Sequence, residues 1–127
     1  MEILRATLGL EPQSYRVDAR LTEVSFGAWE GFTLDELCQH SPGAVAARER
    51  DKWSFAPPEA ESYAAMSLRV RGWYNSLDRD TVAVAHGGVL RGLIVQLGIA
   101  SAKDAPFLDI DQGVIYVICP GTMSRYG

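Results

Sequence analysis

The stretch Thr81-Val82-Ala83-Val84-Ala85-His86-Gly87-Gly88, running on into Val89–Leu97, decides the reading of this chain. Five small or β-branched residues without polar alternation predict a strand covered on both faces, as in a parallel sheet. Gly87 and Gly88 then make a turn, and Val89–Leu97 predicts a helix. His86 therefore stands at the carboxyl end of a buried strand, where ligands collect in open α/β sheets. A glycine-rich turn opening a helix offers free backbone N–H groups and the positive end of the helix dipole, a setting that suits phosphate. An imidazole placed there can donate to a phosphoryl oxygen or move a proton. An isolated histidine is ordinarily a satisfied structural residue; its place between strand and glycines favours the functional reading.

Working outward, Tyr63, Met66, Val70, Trp73 and Leu77 recur at steps of three and four, predicting an amphipathic helix of about four turns. Val114–Ile118 reads as a last strand, and Gly121-Thr122-Met123 as the hairpin that closes it. Upstream, Thr33 and Glu36 form a capping box, with Phe32 and Leu37 placed as a hydrophobic staple. Ser41 and Pro42 start a second helix to about Lys52, as N-cap and first helical residue. Tyr15-Arg16-Val17 reads as a short strand, and Phe26–Gly31 as a glycine-punctuated loop. The first residues read as a helix whose C-terminus is marked by Gly9 and Leu10. Met1 has no capping residue before it, so the chain is expected to open inside a helix, with sequence lost upstream. Helices alternating with buried strands predict a single α/β domain over 1–127, a three-layer sandwich with a largely parallel sheet.

Composition narrows the function classes. A net charge of −4, with Lys52 and Lys103 the only lysines, gives no field for nucleic acid or an anionic membrane surface. The apolar runs are of strand length, so no membrane span is expected, and the first residues do not read as a signal peptide. Cys38 and Cys119 lie far apart without a paired motif and are expected as reduced thiols of a cytoplasmic protein. Two histidines without clustered ligand spacing argue against a structural metal site.

Glu23 is the second candidate for chemistry. It follows Leu21-Thr22 at the end of an expected strand, where a carboxyl group can protonate a leaving alcohol if burial or phosphate charge favours its neutral form. Taken alone it would be an ordinary surface carboxylate. The combination is more telling. Leu21-x-Glu23-x-x-Phe26-Gly27-x-Trp29-Glu30-Gly31, upstream of His86-Gly87-Gly88, resembles the histidine phosphatase superfamily, phosphoglycerate-mutase-like branch. Leu8-Gly9-Leu10, Asp18-x-Arg20-Leu21 and Glu61-Ser62 match it too, so the resemblance spans essentially the whole chain.

That resemblance implies a fold and a chemistry. The fold is the phosphoglycerate-mutase-like sandwich, here missing its first strand. The chemistry is transfer of phosphate from small phosphomonoesters through a phosphohistidine, a covalent route that divides one hard displacement into two easier ones. His86 corresponds to the histidine that stabilises the phosphoryl oxygens in the transition state. Glu23 corresponds to the acid that protonates the leaving oxygen and then assists water. Gly87 and Gly88 are expected to bind the phosphate, and neither metal nor organic cofactor is implied. The partner is a small phosphorylated metabolite or phosphate, with a homo-oligomer as a further possibility.

The sequence also departs from the pattern. It contains no Arg-His-Gly, the motif that carries the family's nucleophile, and its other histidine, His40, reads as a solvated residue near a helix end. Two functional expectations follow: an enzyme whose given chain is inactive without that segment, or a non-catalytic phosphate-binding or dimerising remnant of the family. Trp73 and Met66 are expected in the core. Trp29 either walls the site or packs its own loop, and Glu59 and Glu61 are loop and helix-start charges. Arg69, Arg71 and Arg79 are expected to form a solvated face.

Overall fold

Two helices packed against each other hold the centre of the structure, a computed structural model that describes residues 1–127. The first, Tyr63–Asn75, and the second, Gly87–Gln96, are the fourth and fifth helices of the chain, α4 and α5. Met66 and Val70 of α4 and Ile94 of α5 are fully buried, and Val24, Val89 and Leu93 complete the seam. Burying side chains of this size is worth roughly 1.5–3 kcal/mol each. The helices approach closely because Gly92 faces α4: a Cβ there would lie 2.8 Å from the Met66 Cε and 3.2 Å from the Ser67 Cα. The buried Ser67 hydroxyl is satisfied by donating to the Ala64 carbonyl at 2.7 Å and accepting from Gln96 Nε2 at 2.8 Å.

The remaining helices are α1 (Glu2–Thr7), α2 (Leu34–His40) and α3 (Pro42–Arg50). Helix α1 begins at Met1 without a side-chain cap, as expected. It ends as Gly9 and Leu10 require: Gly9 takes φ +70°, and the Leu10 N–H reaches back to the Arg5 carbonyl at 2.9 Å. The capping box at Thr33 and Glu36 is complete. Ser41 does precede α3, with Pro42 in its first turn, but its side chain makes no capping hydrogen bond. Helix α4 stops at Asn75, so Leu77 falls outside the helical repeat that the spacing suggested.

The sheet differs most from expectation. The chain's one sheet is an antiparallel hairpin, β1 (Ile115–Cys119) with β2 (Thr122–Tyr126), turning at Pro120-Gly121. The hairpin end was legible at Gly121-Thr122-Met123; the parallel sheet is not formed within these residues. Thr81–Ala85 makes no backbone–backbone hydrogen bond, and Val82 and Val84 are 73% and 55% exposed. Tyr15–Val17 is likewise unpaired beyond one local bond from the Tyr15 N–H to the Gln13 carbonyl. The physical reason is shared: an apolar strand gains stability from paired neighbours on its edges, and no backbone of this chain pairs with either segment.

Candidate active site

The entry to α5 is the structural centre of the site. His86 is its N-cap residue, in extended backbone, and the imidazole caps nothing and is exposed. Gly87 and Gly88 form the first turn, and Gly88 is buried. One of the orphan donors of that turn has a partner 65 residues away. The Gly88 N–H donates to Glu23 Oε2 at 3.1 Å, while Glu23 Oε1 accepts the Val24 N–H at 2.9 Å. A carboxylate at a helix N-terminus is stabilised by the dipole as well as by the bond itself.

This approach explains the second glycine. A Cβ at Gly88 would stand 2.1 Å from Glu23 Oε1, inside the space the carboxylate occupies. Gly87 is different: a Cβ there would meet the Arg91 Nη1 at 3.3 Å. Arg91, one turn later, is held in that place by donating from Nε and Nη2 to the Leu108 carbonyl at 2.9 and 2.7 Å. The site is therefore a helix N-terminus bearing a carboxylate on one side and a guanidinium on the other, beside an uncommitted imidazole.

Glu23 is not at the end of a strand. It follows a single 3-10 turn, Ala19–Leu21, capped by Asp18, whose Oδ1 accepts the Arg20 N–H at 2.9 Å. The Arg20 side chain closes on the same carboxylate at 2.9 and 2.6 Å, and this pairing holds Asp18 down to about pKa 2. Arg20 also donates to the Gly72 carbonyl at 3.1 Å and the Ser76 hydroxyl at 3.2 Å, tying the turn to the end of α4.

Arg69 corrects an expectation. It does not belong to a solvated face: its side chain is mostly covered, pairs with Glu61, and donates to the Arg20 carbonyl at 2.6 Å and the Glu23 carbonyl at 3.4 Å. Arg71 and Arg79 are both exposed, as expected of a solvated face; Arg79 pairs with Asp78, and Arg71 donates to Gln96 at 3.2 Å. The signal for Arg69 is positional. It sits three residues after Met66 and four before Trp73, on the margin of the apolar stripe rather than opposite it. Arg91 has a similar signal, four residues after Gly87 on the same helix face.

Trp29 is buried against Phe55, a residue outside its own loop, with ring centroids 5.5 Å apart. Gly27 allows that packing, since with φ +52° a side chain would strike the Pro58 carbonyl. His40 ends α2, exposed, with its ring edge-on to Phe32 at 6.4 Å. Cys38 and Cys119 are both free and exposed.

Comparison with known proteins gives the family. The family model of the histidine phosphatase superfamily, branch 1, matches residues 1–123. This chain is a member of that superfamily. Among solved structures it is similar to the alpha-ribazole phosphatase of Shigella flexneri, with a TM-score of 0.70 and 25% identity over 87% of this chain and 58% of that one. It is similar also to a mycobacterial glucosyl-3-phosphoglycerate phosphatase, at TM-score 0.68 and 31% identity over 84% and 54%. That enzyme's complex with inorganic phosphate matches at TM-score 0.67. Among curated proteins, the bovine 6-phosphofructo-2-kinase/fructose-2,6-bisphosphatase 1 is 26% identical over 89% of this chain and 24% of its own length. The chain thus spans little more than half of the solved relatives and about a quarter of the curated one. The α/β class of the superfamily holds for it, and no helix is long and apolar enough to cross a membrane.

Proposed function

We propose that this histidine phosphatase chain carries the acid and the phosphate-stabilising part of a phosphomonoesterase site, acting on small phosphorylated metabolites. One observation carries the reading: the Glu23 carboxylate is bonded to the first turn of the helix that His86 opens. An acid and an imidazole so placed flank one phosphoryl group bound beside Gly87 at the first turn of α5, the Gly88 N–H being held by Glu23. The phosphatase relatives and the Arg91 guanidinium beside Gly87 support an anionic ligand there.

In this reading a nucleophilic histidine attacks phosphorus, and the bond to the ester oxygen breaks. Glu23 gives its proton to that oxygen, and the alcohol leaves. Water then attacks the phosphohistidine, Glu23 takes a proton from it, and phosphate departs. His86 donates to the equatorial oxygens as charge develops, a preorganised interaction made strongest in the transition state. The like charge of the phosphoryl group favours the protonated carboxyl on arrival of substrate. Metal and organic cofactor have no part in this proposal.

In this reading the nucleophile lies outside these residues, because the sequence has no Arg-His-Gly and His40 ends α2, exposed against Phe32. The segment that carries it would run as a strand beside Thr81–Ala85, whose backbone donors and acceptors are unpaired. The chain alone is therefore inactive but retains affinity for phosphate. Hydrolysis of an aryl phosphate and phosphorus NMR of inorganic phosphate would be measured for this chain and for His86→Ala. The expected result is no turnover in either, with phosphate line broadening lost in the variant. Turnover by the chain that vanishes in His86→Ala would place a nucleophile within these residues, His40 first, and overturn the division.

A further inference from the structure

We infer that Arg69, held by Glu61, is the positioning residue for Glu23. The inference rests on the functional reading above, in that it concerns the same carboxylate. Its observation is separate. The Arg69 guanidinium bridges two main-chain carbonyls, those of Arg20 and Glu23, at 2.6 and 3.4 Å. They mark the middle of the 3-10 turn and the residue that carries the acid. Between them the chain must turn from Thr22, extended, to deliver the carboxylate to the Gly88 N–H. A planar guanidinium with a fixed fork of donors can hold two carbonyls at once; an ammonium is a point charge on a flexible stem and cannot fix the same geometry.

Glu61 sets the other side of the fork. It takes Arg69 Nε at 3.1 Å and also pairs with Nη2, so the guanidinium plane is fixed before it meets the turn. Glu61 itself is tied to the start of α4, because Ser62 caps that helix through the Ala65 N–H at 3.1 Å. The path from the helix frame to the carboxylate is thus Ser62, Glu61, Arg69, the Glu23 main chain and the Glu23 side chain. The Asp18–Arg20 pair anchors the opposite end of the same turn to Gly72 and Ser76. Two arginines, one from the turn and one from α4, leave the segment bearing Glu23 little freedom of rotation.

The test needs no turnover. In the 127-residue chain, the Gly88 amide proton and the Glu23 carboxyl carbon would be followed by NMR at neutral pH. They would be compared across wild type, Arg69→Lys, Glu61→Gln and the charge-swapped pair Glu61→Arg with Arg69→Glu. Val45→Ala serves as a variant destabilised elsewhere, since Val45 is buried outside the α4–α5 cluster. The expected result is an upfield shift of the Gly88 amide and a changed Glu23 carboxyl shift in Arg69→Lys. A smaller shift of the same sign is expected in Glu61→Gln, and none in Val45→Ala. The swapped pair should not restore either signal, because a glutamate at 69 cannot donate to carbonyls. Restoration by the swap would show that only the ion pair matters, and would overturn the assignment. So would an unmoved Gly88 amide in Arg69→Lys, or loss of the folded spectrum in both single variants. Failure of the wild-type chain to bind phosphate would instead count against the functional reading and leave these signals interpretable.

Discussion

The Glu23 carboxylate and the Gly88 main chain occupy each other's only available space. Oε2 accepts the Gly88 N–H at 3.1 Å, and a Cβ on Gly88 would stand 2.1 Å from Oε1. Substitution Gly88→Ala therefore sets two effects against each other. Helix propensity favours alanine by about 0.8–1 kcal/mol. A lost hydrogen bond to a charged acceptor costs about 1.5–3 kcal/mol. The bond should win, leaving Gly88→Ala less stable by about 1 kcal/mol in urea denaturation. Gly72→Ala is the control: it lies within α4 with nothing within 4 Å of its Cβ, and should be more stable than wild type. A stabilised Gly88→Ala would mean that the carboxylate is not held at the helix N-terminus.

The same pair shows what the sequence could and could not disclose. Gly88 and Glu23 were each visible as motif residues, and the helices that hold them follow directly from spacing, because a 3.6-residue repeat is a local property. Their hydrogen bond is not local, and neither is Arg69's grip on two carbonyls; such contacts depend on how α4 and α5 pack. The parallel sheet failed for the opposite reason. Thr81–Ala85 has a strand's composition, but a strand exists only when another pairs with it, and composition does not report whether the partner is in the chain. Leu21-Thr22 reads as extended and puts Glu23 at a strand end, whereas Asp18 caps a turn there instead.

Asp18 should make stability depend on acid. Its side chain is held down to about pKa 2 in the folded chain, against an ordinary value of 3.8, chiefly by hydrogen bonds from Arg20. A depressed carboxylate contributes stability that is fully present above the unfolded value and is lost as pH falls through the folded one. The window is thus between about pH 4 and pH 2. Melting temperatures followed from neutral pH into that window should drop more steeply for wild type than for Asp18→Asn. Parallel curves would show that Asp18 and Arg20 do not pair in solution.

The close approach of α4 and α5 gives a prediction with no charge in it. Gly92→Ala would push a methyl to 2.8 Å from the Met66 Cε and 3.2 Å from the Ser67 Cα. The Met66 methyl can swing aside; the Ser67 main chain cannot, so the helices must separate. Overpacking of this kind costs about 1–3 kcal/mol. Adding Met66→Leu should recover only part of that loss, since the backbone contact remains. Full recovery in the double variant would locate the strain in the Met66 side chain alone.

Val82 and Val84 make the last case, because their exposure is a property of the unpaired strand rather than of the site. Both are aliphatic, 73% and 55% exposed, on a segment whose backbone makes no hydrogen bond to the rest of the chain. Such an edge is a template for pairing with another chain, and natural edges are blunted with lysine. Val84→Lys should therefore lower self-association, read by sedimentation or light scattering over a concentration series. It should leave the stability of the dilute chain within the range of ordinary surface substitutions, about 0.5 kcal/mol. Gly72→Ala, away from the strand, should stabilise the chain without changing its association. If Val84→Lys instead unfolds the dilute monomer, Thr81–Ala85 packs against its own chain in solution, and its edge is closed from within.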